Sequence, residues 1–520
     1  MLIQDMLARA VRLYGGRPAL VDGDVRLTYD ELSNRVHQLA AGLQGLGLGH
    51  GDHVAILAHN SYRYMETYLA IPEAGLVLAP INTRLSPQET LFILNDAEIK
   101  TLFIGKDFLP LLEQIRGKLE MVSTVVVLDD AAQGDILSYE EVLAGGDVAS
   151  LKPRAWDGED MLILCYTGGT TGLPKGVMLS QNNVVHNAQH AIRFAEFTER
   201  DVWLHACPMF HAADYWSCFA LTVLGAFHVF MEKFEPRQLL EMIQTHGVTA
   251  LLLVPTMINM VLEQPDAAHY ELSTVRRIMY GASPMPVERL KAAIELFGPV
   301  MQHLYGQTET SPFLTATLPR DNVVDGSEEQ TRRLLSCGQE IMGVEVRVVN
   351  NAGQQVQPGE VGEVIARGPN VMLGYWKRPE ESAKTLVDGW VRTGDIATVD
   401  AQQYIYIMDR LKDMIITGGE NVFSPEVEDV LYRHPAVLEA AVIGVPDDKW
   451  GEAVKAIVVL QGGTHASAQE LMDHCREHIA HYKCPKTVDF TEALPKSGPG
   501  KILKSELRKP YWEGRERSVN

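Results

Sequence analysis

Short apolar runs alternate with stretches long enough for a helix between residues 53 and 305. Strands joined by helical crossovers pair in parallel and are covered on both faces, so each run is predicted to be a buried strand. Two sheets in tandem accommodate so many strands better than one very large sheet. The alternation therefore predicts an α/β fold with several lobes, whose large N-terminal part contains two parallel-type sheets. The predicted strands are residues 53–58, 77–81, 101–105, 124–128, 161–166, 202–206, 227–231, 250–255, 276–281 and 300–305.

The pattern changes near Gly338, where glycine-punctuated strands follow one another without long helices between them. This spacing predicts an antiparallel third lobe, with strands at residues 344–349, 362–367 and 404–408. Beyond it the pattern indicates a small α+β domain, with helices at 425–434 and 467–481 and strands at 437–444, 454–460 and 487–492. We therefore place a domain boundary at Lys412, between a large domain of residues 1–411 and a small one of residues 412–520.

The N-terminal region carries one clear helix signal. Thr28 precedes Glu31 by three residues at the head of an apolar-periodic run that extends to Leu48. This spacing is that of a capping box, in which the two side chains satisfy free backbone N–H groups. It predicts that a helix begins at this point.

The net charge and the cysteines narrow the class of protein. Lys and Arg total 46 and Asp and Glu total 67 among 520 residues, so the formal charge is 46 − 67 = −21. An acidic surface repels phosphate backbones, which argues against nucleic acid as a partner. The six cysteines include no C-x-x-C pair and so indicate neither a disulfide framework nor a zinc ribbon. This cysteine usage fits a reducing cytoplasm.

The sequence also predicts a protein without a transmembrane segment. The longest apolar stretch, residues 248–262, is interrupted by Pro255 and Asn259 and falls short of about 18–20 clean apolar residues. The N-terminus carries Asp5 where a signal peptide would have a basic start and a continuous apolar run. We expect a soluble cytoplasmic protein, and the sequence leaves its oligomeric state open, a homodimer included.

A glycine- and threonine-rich loop, residues 166–176, reads YTGGTTGLPKG and follows a predicted strand. Its glycines offer backbone N–H groups, its threonines offer hydroxyls and Lys175 offers a cation, a combination that suits a polyphosphate. It is not a Walker A loop, because Pro174 and Gly176 flank the lysine in place of a glycine and a Ser or Thr. Composition alone leaves an ordinary flexible turn as an equally good interpretation.

Seven motifs in a fixed order support the first interpretation by resemblance. They are residues 166–176, 208–215 (PMFHAADY), 280–284 (YGASP), 305–309 (YGQTE), 389–395 (GWVRTGD), 409–428 (DRLKDMIITGGENVFSPEVE) and 495–508 (PKSGPGKILKSELR). Together they resemble the adenylate-forming superfamily, in its acyl-CoA synthetase branch, and most closely bacterial fatty-acyl-CoA ligases. The resemblance implies a ligase that uses ATP, Mg²⁺ and CoA. It also makes residues 1–411 an AMP-binding adenylation domain and residues 412–520 a mobile lid domain.

The resemblance assigns most of the polar motif residues to the nucleotide. Tyr305 would stack on adenine, and Asp395 would accept both ribose hydroxyls with Arg410 as its cationic neighbour. Without the resemblance, Tyr305 would be read as a core residue and Asp395 as a turn-stabilising one. The implied ATP- and AMP-binding residues are Thr167, Gly169, Thr170, Thr171, Gly172, Lys175, Gly281, Ala282, Ser283, Tyr305, Gly306, Thr308, Asp395, Arg410 and Lys501.

The implied catalytic residues are Lys501, His211, Glu309 and Thr308. Lys501 would stabilise the charge that develops on the carboxylate and α-phosphate oxygens during adenylate formation. Glu309 and Thr167 are the implied magnesium ligands, because hard oxygen donors suit that ion. A lysine is otherwise most often exposed and Glu309 would otherwise be read as a solvated acid.

The remaining implied residues concern the acyl group, CoA and a hinge. His211 would lie beside the substrate carboxylate, Tyr215 would gate the mouth of an acyl tunnel, and Gly281 would border the acyl pocket. Lys412 matches a hinge about which the small domain rotates. After that rotation the loop of Gly418, Gly419 and Glu420 would line the pantetheine channel.

The sequence supports several functions to different degrees. The favoured one is an ATP-dependent carboxylate–CoA ligase for medium- or long-chain fatty acids, and the second is a ligase for arylacrylates such as ferulate or coumarate. A third is an adenylating enzyme that passes acyl-AMP to an amine or a carrier protein. A non-catalytic acyl- or nucleotide-binding protein belongs to a different class, and the joint presence of Lys501, Glu309 and Asp395 argues against it.

Overall fold

The computed structural model describes residues 1–129, 134–152, 156–167, 174–283, 285–447, 449–496 and 502–513. Strands up to residue 340 are β1 Pro18–Asp22, β2 Val25–Thr28, β3 His53–Leu57, β4 Val77–Pro80, β5 Ile99–Ile104, β6 Thr124–Val127, β7 Leu137–Ser138, β8 Met161–Thr167, β9 Lys175–Ser180, β10 Val202–His205, β11 Phe227–Phe230, β12 Ala250–Leu253, β13 Arg277–Gly281, β14 Met301–Gly306, β15 Phe313–Ala316 and β16 Gln339–Glu340. Later strands are β17 Glu345–Val349, β18 Val361–Arg367, β19 Gly374–Tyr375, β20 Leu386–Val387, β21 Trp390–Val399, β22 Ile405–Arg410, β23 Ile415–Thr417, β24 Glu420–Val422, β25 Val437–Asp447, β26 Gly451–Leu460 and β27 Thr487–Phe490.

The α-helices cover the faces and ends of these strands. They are α1 Ile3–Tyr14, α2 Tyr29–Gly45, α3 Tyr62–Ala74, α4 Pro87–Asp96, α5 Leu109–Ile115, α6 Tyr139–Ala144, α7 Gln181–Ala195, α8 Tyr215–Leu224, α9 Pro236–His246, α10 Pro255–Leu262, α11 Val287–Phe297, α12 Glu328–Arg332, α13 Pro379–Thr385, α14 Ser424–Tyr432, α15 Ala468–His478 and α16 Lys504–Trp512. Among the described residues, no helix is both long and apolar enough to cross a membrane.

Two large sheets form the N-terminal part, as the strand–helix alternation predicts. One has the order β19-β9-β8-β4-β3-β5-β6-β7 and the other β16-β15-β14-β13-β12-β10-β11-β1-β2. Pairs within their centres, such as β3 with β4 and β12 with β13, are parallel. The antiparallel strands β9, β15 and β2 lie towards the edges, and the sequence pattern did not predict them. Buried apolar residues of both sheets form one continuous core.

The antiparallel third lobe and the small α+β unit are also confirmed. Strands β17, β18, β21 and β20 form the third sheet, with β22 paired to β21, and every pairing is antiparallel. The fourth sheet has the order β24-β23-β26-β25, with β27 parallel to β26. The chain leaves the third sheet at Arg410 and enters the fourth at Ile415. The predicted boundary at Lys412 lies within that short connection.

The capping box predicted at Thr28 is present at the start of α2. The Thr28 hydroxyl accepts a hydrogen bond from the backbone N–H of Glu31 at 3.3 Å, and the Glu31 carboxylate accepts one from the backbone N–H of Thr28 at 2.7 Å. The helix ends at Gly45, three residues before the predicted limit at Leu48. Local sequence thus fixed the beginning of this helix more closely than its end.

A buried carboxylate joins three helices behind the parallel sheet. Glu66 on α3 is fully buried, and it accepts hydrogen bonds from Arg35 Nε on α2 at 2.5 Å and from the Tyr139 hydroxyl on α6 at 2.7 Å. A buried charge is tolerated only with such partners. These contacts fix the packing of α2, α3 and α6 against one another.

We expect Glu66→Leu to destabilise the protein by about 3 kcal/mol, because it leaves the Arg35 guanidinium without its buried partner. Thermal melting measures the loss as a lower midpoint. The double variant Arg35→Met/Glu66→Leu should be less destabilised than the sum of the single variants, since it leaves no unpaired charge. Strictly additive losses would show that the two side chains do not act as a pair.

Candidate active site

Strand ends from the N-terminal sheets and the start of α16 line one cleft with a volume of about 1040 Å³. The cleft brings together many of the residues that the motifs singled out, although they are far apart in sequence. The predicted site residues in its described lining are Thr167, Lys175, His211, Gly281, Ala282, Tyr305, Gly306, Thr308, Glu309, Arg410 and Lys412. Gly169, Thr170, Thr171, Gly172 and Lys501 lie outside the described residues. The remaining predicted residues, Ser283, Asp395, Tyr215, Gly418, Gly419 and Glu420, are described but are not part of this lining.

One group of residues, which we call the nucleoside corner after the role expected of it, is formed by Tyr305, Asp395 and Arg410. The Tyr305 hydroxyl donates a hydrogen bond to Asp395 Oδ2 at 2.8 Å, and Arg410 Nε lies 3.3 Å from Asp395 Oδ1. Asp395 and Arg410 are direct partners in the register of β21 and β22. Asp395 is 6% exposed and lies behind Thr393 and Gly394, which do line the cleft. Both of its carboxylate oxygens therefore already have a protein partner.

Two glycines let backbone segments approach closely beside this corner. A Cβ at Gly281 would collide with the carbonyl oxygen of Leu304, and a Cβ at Gly306 would collide with that of Pro312. Ala282 follows with φ at +67°, a left-handed conformation that costs energy in a residue with a side chain. The motif YGASP showed the small residues but gave no signal of this strain.

A second group in the lining, which we call the phosphate corner after the role expected of it, is formed by Thr167, Lys175, Glu309 and Tyr375. Thr167 ends β8 and Lys175 begins β9, so the predicted loop joins two antiparallel strands. The Tyr375 hydroxyl donates to Glu309 Oε1 at 2.8 Å, and Lys175 Nζ lies 5.4 Å from the centre of the Tyr375 ring. Sequence reasoning missed Tyr375, because a short strand far along the chain carries it to this corner.

The most buried part of the lining is apolar and carries His211 at its edge. Its neighbours there include Phe210, Ala213, Leu252 and Phe313, all buried. His211 Nδ1 accepts a hydrogen bond from the backbone N–H of Ala213 at 3.0 Å. Burial lowers the pKa of the imidazole to about 4, so the ring is neutral near pH 7. With Nδ1 accepting, the proton of the neutral ring resides on Nε2.

The structure does not place Tyr215 at the mouth of the cleft. It is the first residue of α8 and is fully buried, with its ring 6.1 Å from that of Tyr68. Its hydroxyl and the nearby Ser311 hydroxyl have no hydrogen-bond partner in the described part of the chain. The sequence showed an aromatic residue after the His211 motif but not that α8 directs this side chain into the core.

The part of the C-terminal unit that lines the cleft is not the loop that was expected to line the CoA channel. Lys496 and Ile502, which bracket the undescribed residues 497–501, both line the cleft. Gly418, Gly419 and Glu420 are exposed at the turn between β23 and β24. The backbone N–H of Gly418 donates to the Trp450 carbonyl oxygen at 2.8 Å, outside the cleft lining.

Ion pairs hold this C-terminal segment in place. Lys504 Nζ on α16 lies 2.7 Å from Glu428 Oε1, and an Arg508 nitrogen lies 2.6 Å from Asp413 Oδ1. Lys412 lines the cleft beside them, and burial lowers the pKa of its ammonium to about 8. The connection between the third and fourth sheets is thus part of the cleft itself.

We expect the buried histidines to make the fold sensitive to acid. Burial lowers the pKa of His190, His211 and His303 from 6.5 to about 4. Between these pH values the unfolded chain binds protons that the folded chain does not. The contribution of these histidines to the free energy of unfolding is therefore complete above about pH 6.5 and declines as the pH falls towards 4. Thermal midpoints measured across this window should decrease.

The variant His211→Gln isolates one of these groups. It should show a shallower decline of the thermal midpoint between pH 6.5 and 4, because one of the titrating imidazoles is gone. The exposed His465 provides the matched control, and His465→Gln should retain the full slope. An unchanged slope in His211→Gln would mean that this imidazole is not held neutral in the fold.

Comparison with known proteins gives one consistent family. Residues 7–376 match the family model described as AMP-binding enzyme, and residues 426–501 match the AMP-binding enzyme C-terminal domain. A feruloyl-CoA synthase of Amycolatopsis sp is 37% identical over 506 residues, covering 97% of this chain and 98% of that protein. A long-chain-fatty-acid–CoA ligase of Thermus thermophilus is 38% identical over 520 residues, covering 98% and 95%.

Solved structures agree with the sequence relatives. The crystal structure of the anthranilate CoA ligase AuaEII in complex with anthranoyl-AMP superposes with a TM-score of 0.91 at 29% identity, covering 98% of this chain and 97% of that one. The shared fold extends over both the N-terminal sheets and the C-terminal unit. The chain therefore belongs to the AMP-binding enzymes of the adenylate-forming superfamily, and it is an ATP-dependent acyl- or aryl-CoA ligase.

Proposed function

We propose that this ligase activates a monocarboxylic acid whose body is neutral and mainly apolar, with medium- and long-chain fatty acids as its main substrates. The observation that carries the proposal is the buried part of the cleft lining. Every buried residue in the described lining is uncharged, and most are apolar, among them Phe210, Leu252, Leu304 and Phe313. A second carboxylate on the substrate would find no cation there, whereas each buried methylene contributes about 0.8 kcal/mol.

In the first half-reaction a substrate carboxylate oxygen attacks the α-phosphorus of ATP, and pyrophosphate leaves. The neutral His211 would donate from Nε2 to the carboxylate and orient it. Asp395 and Arg410 would hold the ribose, with Tyr305 against the base. Lys501 would stabilise the charge that develops on the reacting oxygens. Its neighbours Lys496 and Ile502 line the cleft, which supports this role.

The phosphate corner fits magnesium. Glu309 faces the cleft, and its Oε2 has no hydrogen-bond partner among the described residues, while Oε1 accepts from Tyr375. Mg²⁺ usually takes one or two carboxylates together with phosphate oxygens and waters, so one free carboxylate oxygen in a cleft that Thr167 also lines is a suitable donor set. When bound, the ion would neutralise phosphate charge as pyrophosphate departs.

In the second half-reaction the CoA thiol displaces AMP from the acyl-AMP. We propose that residues 412–520 act as a lid domain that rotates about Lys412 between the two steps. In the present orientation Lys496 and Ile502 border the cleft, and the Gly418–Glu420 turn is exposed outside it. This arrangement suits adenylate formation. Rotation would exchange the two and bring the glycine turn to the pantetheine channel.

A second candidate is an arylacrylate such as ferulate or coumarate. The aromatic rings of Phe210 and Phe313 in the buried lining favour it, because they suit the ring of such an acid. The similarity to a feruloyl-CoA synthase, at 37% identity, supports the same candidate.

Pyrophosphate release over a panel of carboxylic acids, with and without CoA, separates these functions. We expect turnover to require CoA, to yield the acyl-CoA and to increase with chain length from C6 until the pocket is filled. Preference for coumarate over both cinnamate and the fatty acids would transfer the assignment to the arylacrylates. Turnover that requires an amine or a carrier protein in place of CoA would contradict the CoA ligase.

A further inference from the structure

One buried tyrosine contacts both charged side chains of the phosphate corner. Tyr375 is 9% exposed and belongs to the cleft lining. Its hydroxyl donates to Glu309 Oε1 at 2.8 Å, and its ring lies 5.4 Å from Lys175 Nζ. The carboxylate of Glu309 uses the hydroxyl of Tyr375 as a hydrogen-bond donor, whereas the ammonium of Lys175 is attracted by the face of its aromatic ring.

The backbone around Tyr375 is tied to both of its charged partners. Tyr375 pairs with Val177, two residues after Lys175, in the antiparallel register of β19 and β9. The backbone N–H of Met372 donates to the Glu309 carbonyl oxygen at 2.9 Å. The backbone N–H of Tyr375 itself donates to Ser382 Oγ at 2.8 Å. The ring therefore has a fixed place relative to the lysine and the glutamate.

We propose that Tyr375 is a positioning residue for the phosphate corner, which orients Glu309 through its hydroxyl and Lys175 through its ring. The hydroxyl occupies Glu309 Oε1, so Oε2 would remain available to a metal ion. The ring restricts the long lysine side chain to the side of the cleft where phosphate oxygens would lie. The inference goes beyond the choice of acyl substrate, and it depends on the predicted role of Glu309 as a magnesium ligand.

The chemistry of the hydroxyl suits this role. A tyrosine hydroxyl can both donate and accept, and here it donates to the Glu309 carboxylate, which can only accept. A donor to a carboxylate makes one of the stronger hydrogen bonds in a protein. Holding both charges before ATP arrives lowers the entropy that binding must remove.

Two variants separate the hydroxyl from the ring. Tyr375→Phe keeps the ring near Lys175 and removes the hydrogen bond to Glu309, whereas Tyr375→Leu removes both. Mn²⁺ replaces Mg²⁺ as a spectroscopic probe, and its binding in the presence of a non-hydrolysable ATP analogue is measured by electron paramagnetic resonance. Binding of the ATP analogue in the presence of EDTA, measured by calorimetry, reports on the contribution of Lys175 without that of the metal ion.

We expect Tyr375→Phe to weaken Mn²⁺ binding about tenfold, the loss of one hydrogen bond to a charged group, with analogue binding in EDTA unchanged. Tyr375→Leu should weaken both. A Tyr375→Phe protein with unchanged Mn²⁺ binding would overturn the proposal, as would a Tyr375→Leu protein with unchanged analogue binding in EDTA.

A matched control is available elsewhere in the chain. The Tyr404 hydroxyl donates to Asp321 Oδ1 at 2.8 Å, and the Arg333 guanidinium lies 4.6 Å from the centre of its ring, outside the cleft lining. Tyr404→Phe removes the same kind of hydrogen bond and should leave Mn²⁺ binding unchanged. If it weakens Mn²⁺ binding as much as Tyr375→Phe, the effect is one of general stability and the proposal fails.

The variant Glu309→Gln distinguishes failure of this proposal from failure of the magnesium assignment. If Glu309→Gln loses Mn²⁺ binding while Tyr375→Phe keeps it in full, Glu309 remains a metal ligand and the positioning role of Tyr375 is wrong. Full Mn²⁺ binding in Glu309→Gln would remove the assignment of Glu309, and the proposal with it. Neither result depends on which carboxylic acid is the substrate.

Discussion

The buried carboxylate of Asp395 is the contact on which the geometry of the cleft depends. It joins Tyr305, at the end of a strand in the nine-stranded sheet, to Arg410, at the end of β22 in the antiparallel sheet. A buried carboxylate requires partners of this kind, so the two sheets cannot shift relative to each other without exposing an unpaired charge. Arg410 is also the last residue before the connection to the C-terminal unit. The nucleoside corner and the proposed hinge therefore share one anchor.

The phosphate corner is built in a similar way, from residues of the nine-stranded and the eight-stranded sheets. Glu309 follows β14 of the nine-stranded sheet, whereas Lys175 begins β9 of the eight-stranded one. Tyr375 bridges them from β19, at the edge of the eight-stranded sheet. In both corners a tyrosine hydroxyl donates to a carboxylate and a cation lies close by, Arg410 against Asp395 and Lys175 over the Tyr375 ring. The cleft is thus built from contacts between sheets.

Much of this fold follows from patterns that lie close together in sequence. The buried parallel strands read as continuous apolar runs, and Thr28 with Glu31 marked the start of α2. The strands that were missed, such as β9 and β15, are held by antiparallel pairing across a turn or by a distant partner. Tyr375 illustrates what local patterns cannot predict about the site. Its proposed role depends on contacts with Glu309 and Lys175, which are separated from it by 66 and 200 positions in the chain.

Tyr215 shows the same limit for the substrate pocket. It follows His211 within one motif, but the direction of its side chain depends on how α8 packs against Tyr68. Such packing decides which acid the enzyme prefers, and the sequence motifs do not predict it. The nucleoside and phosphate corners, in contrast, contain close backbone approaches and charged pairs, and these leave recognisable glycines and carboxylates in the sequence.

The central claim is that one cleft serves two half-reactions, because rotation about Lys412 exchanges the segment of the C-terminal unit that borders it. Single-turnover kinetics of each half-reaction in Lys412→Pro tests this claim most directly. Proline fixes φ near about −65° and restricts the preceding residue, so it opposes a large change of backbone dihedrals at this position. The account predicts that a folded variant, verified by thermal melting, forms acyl-AMP at a near-normal rate and transfers the acyl group to CoA more slowly by orders of magnitude. Normal rates in both half-reactions would contradict it.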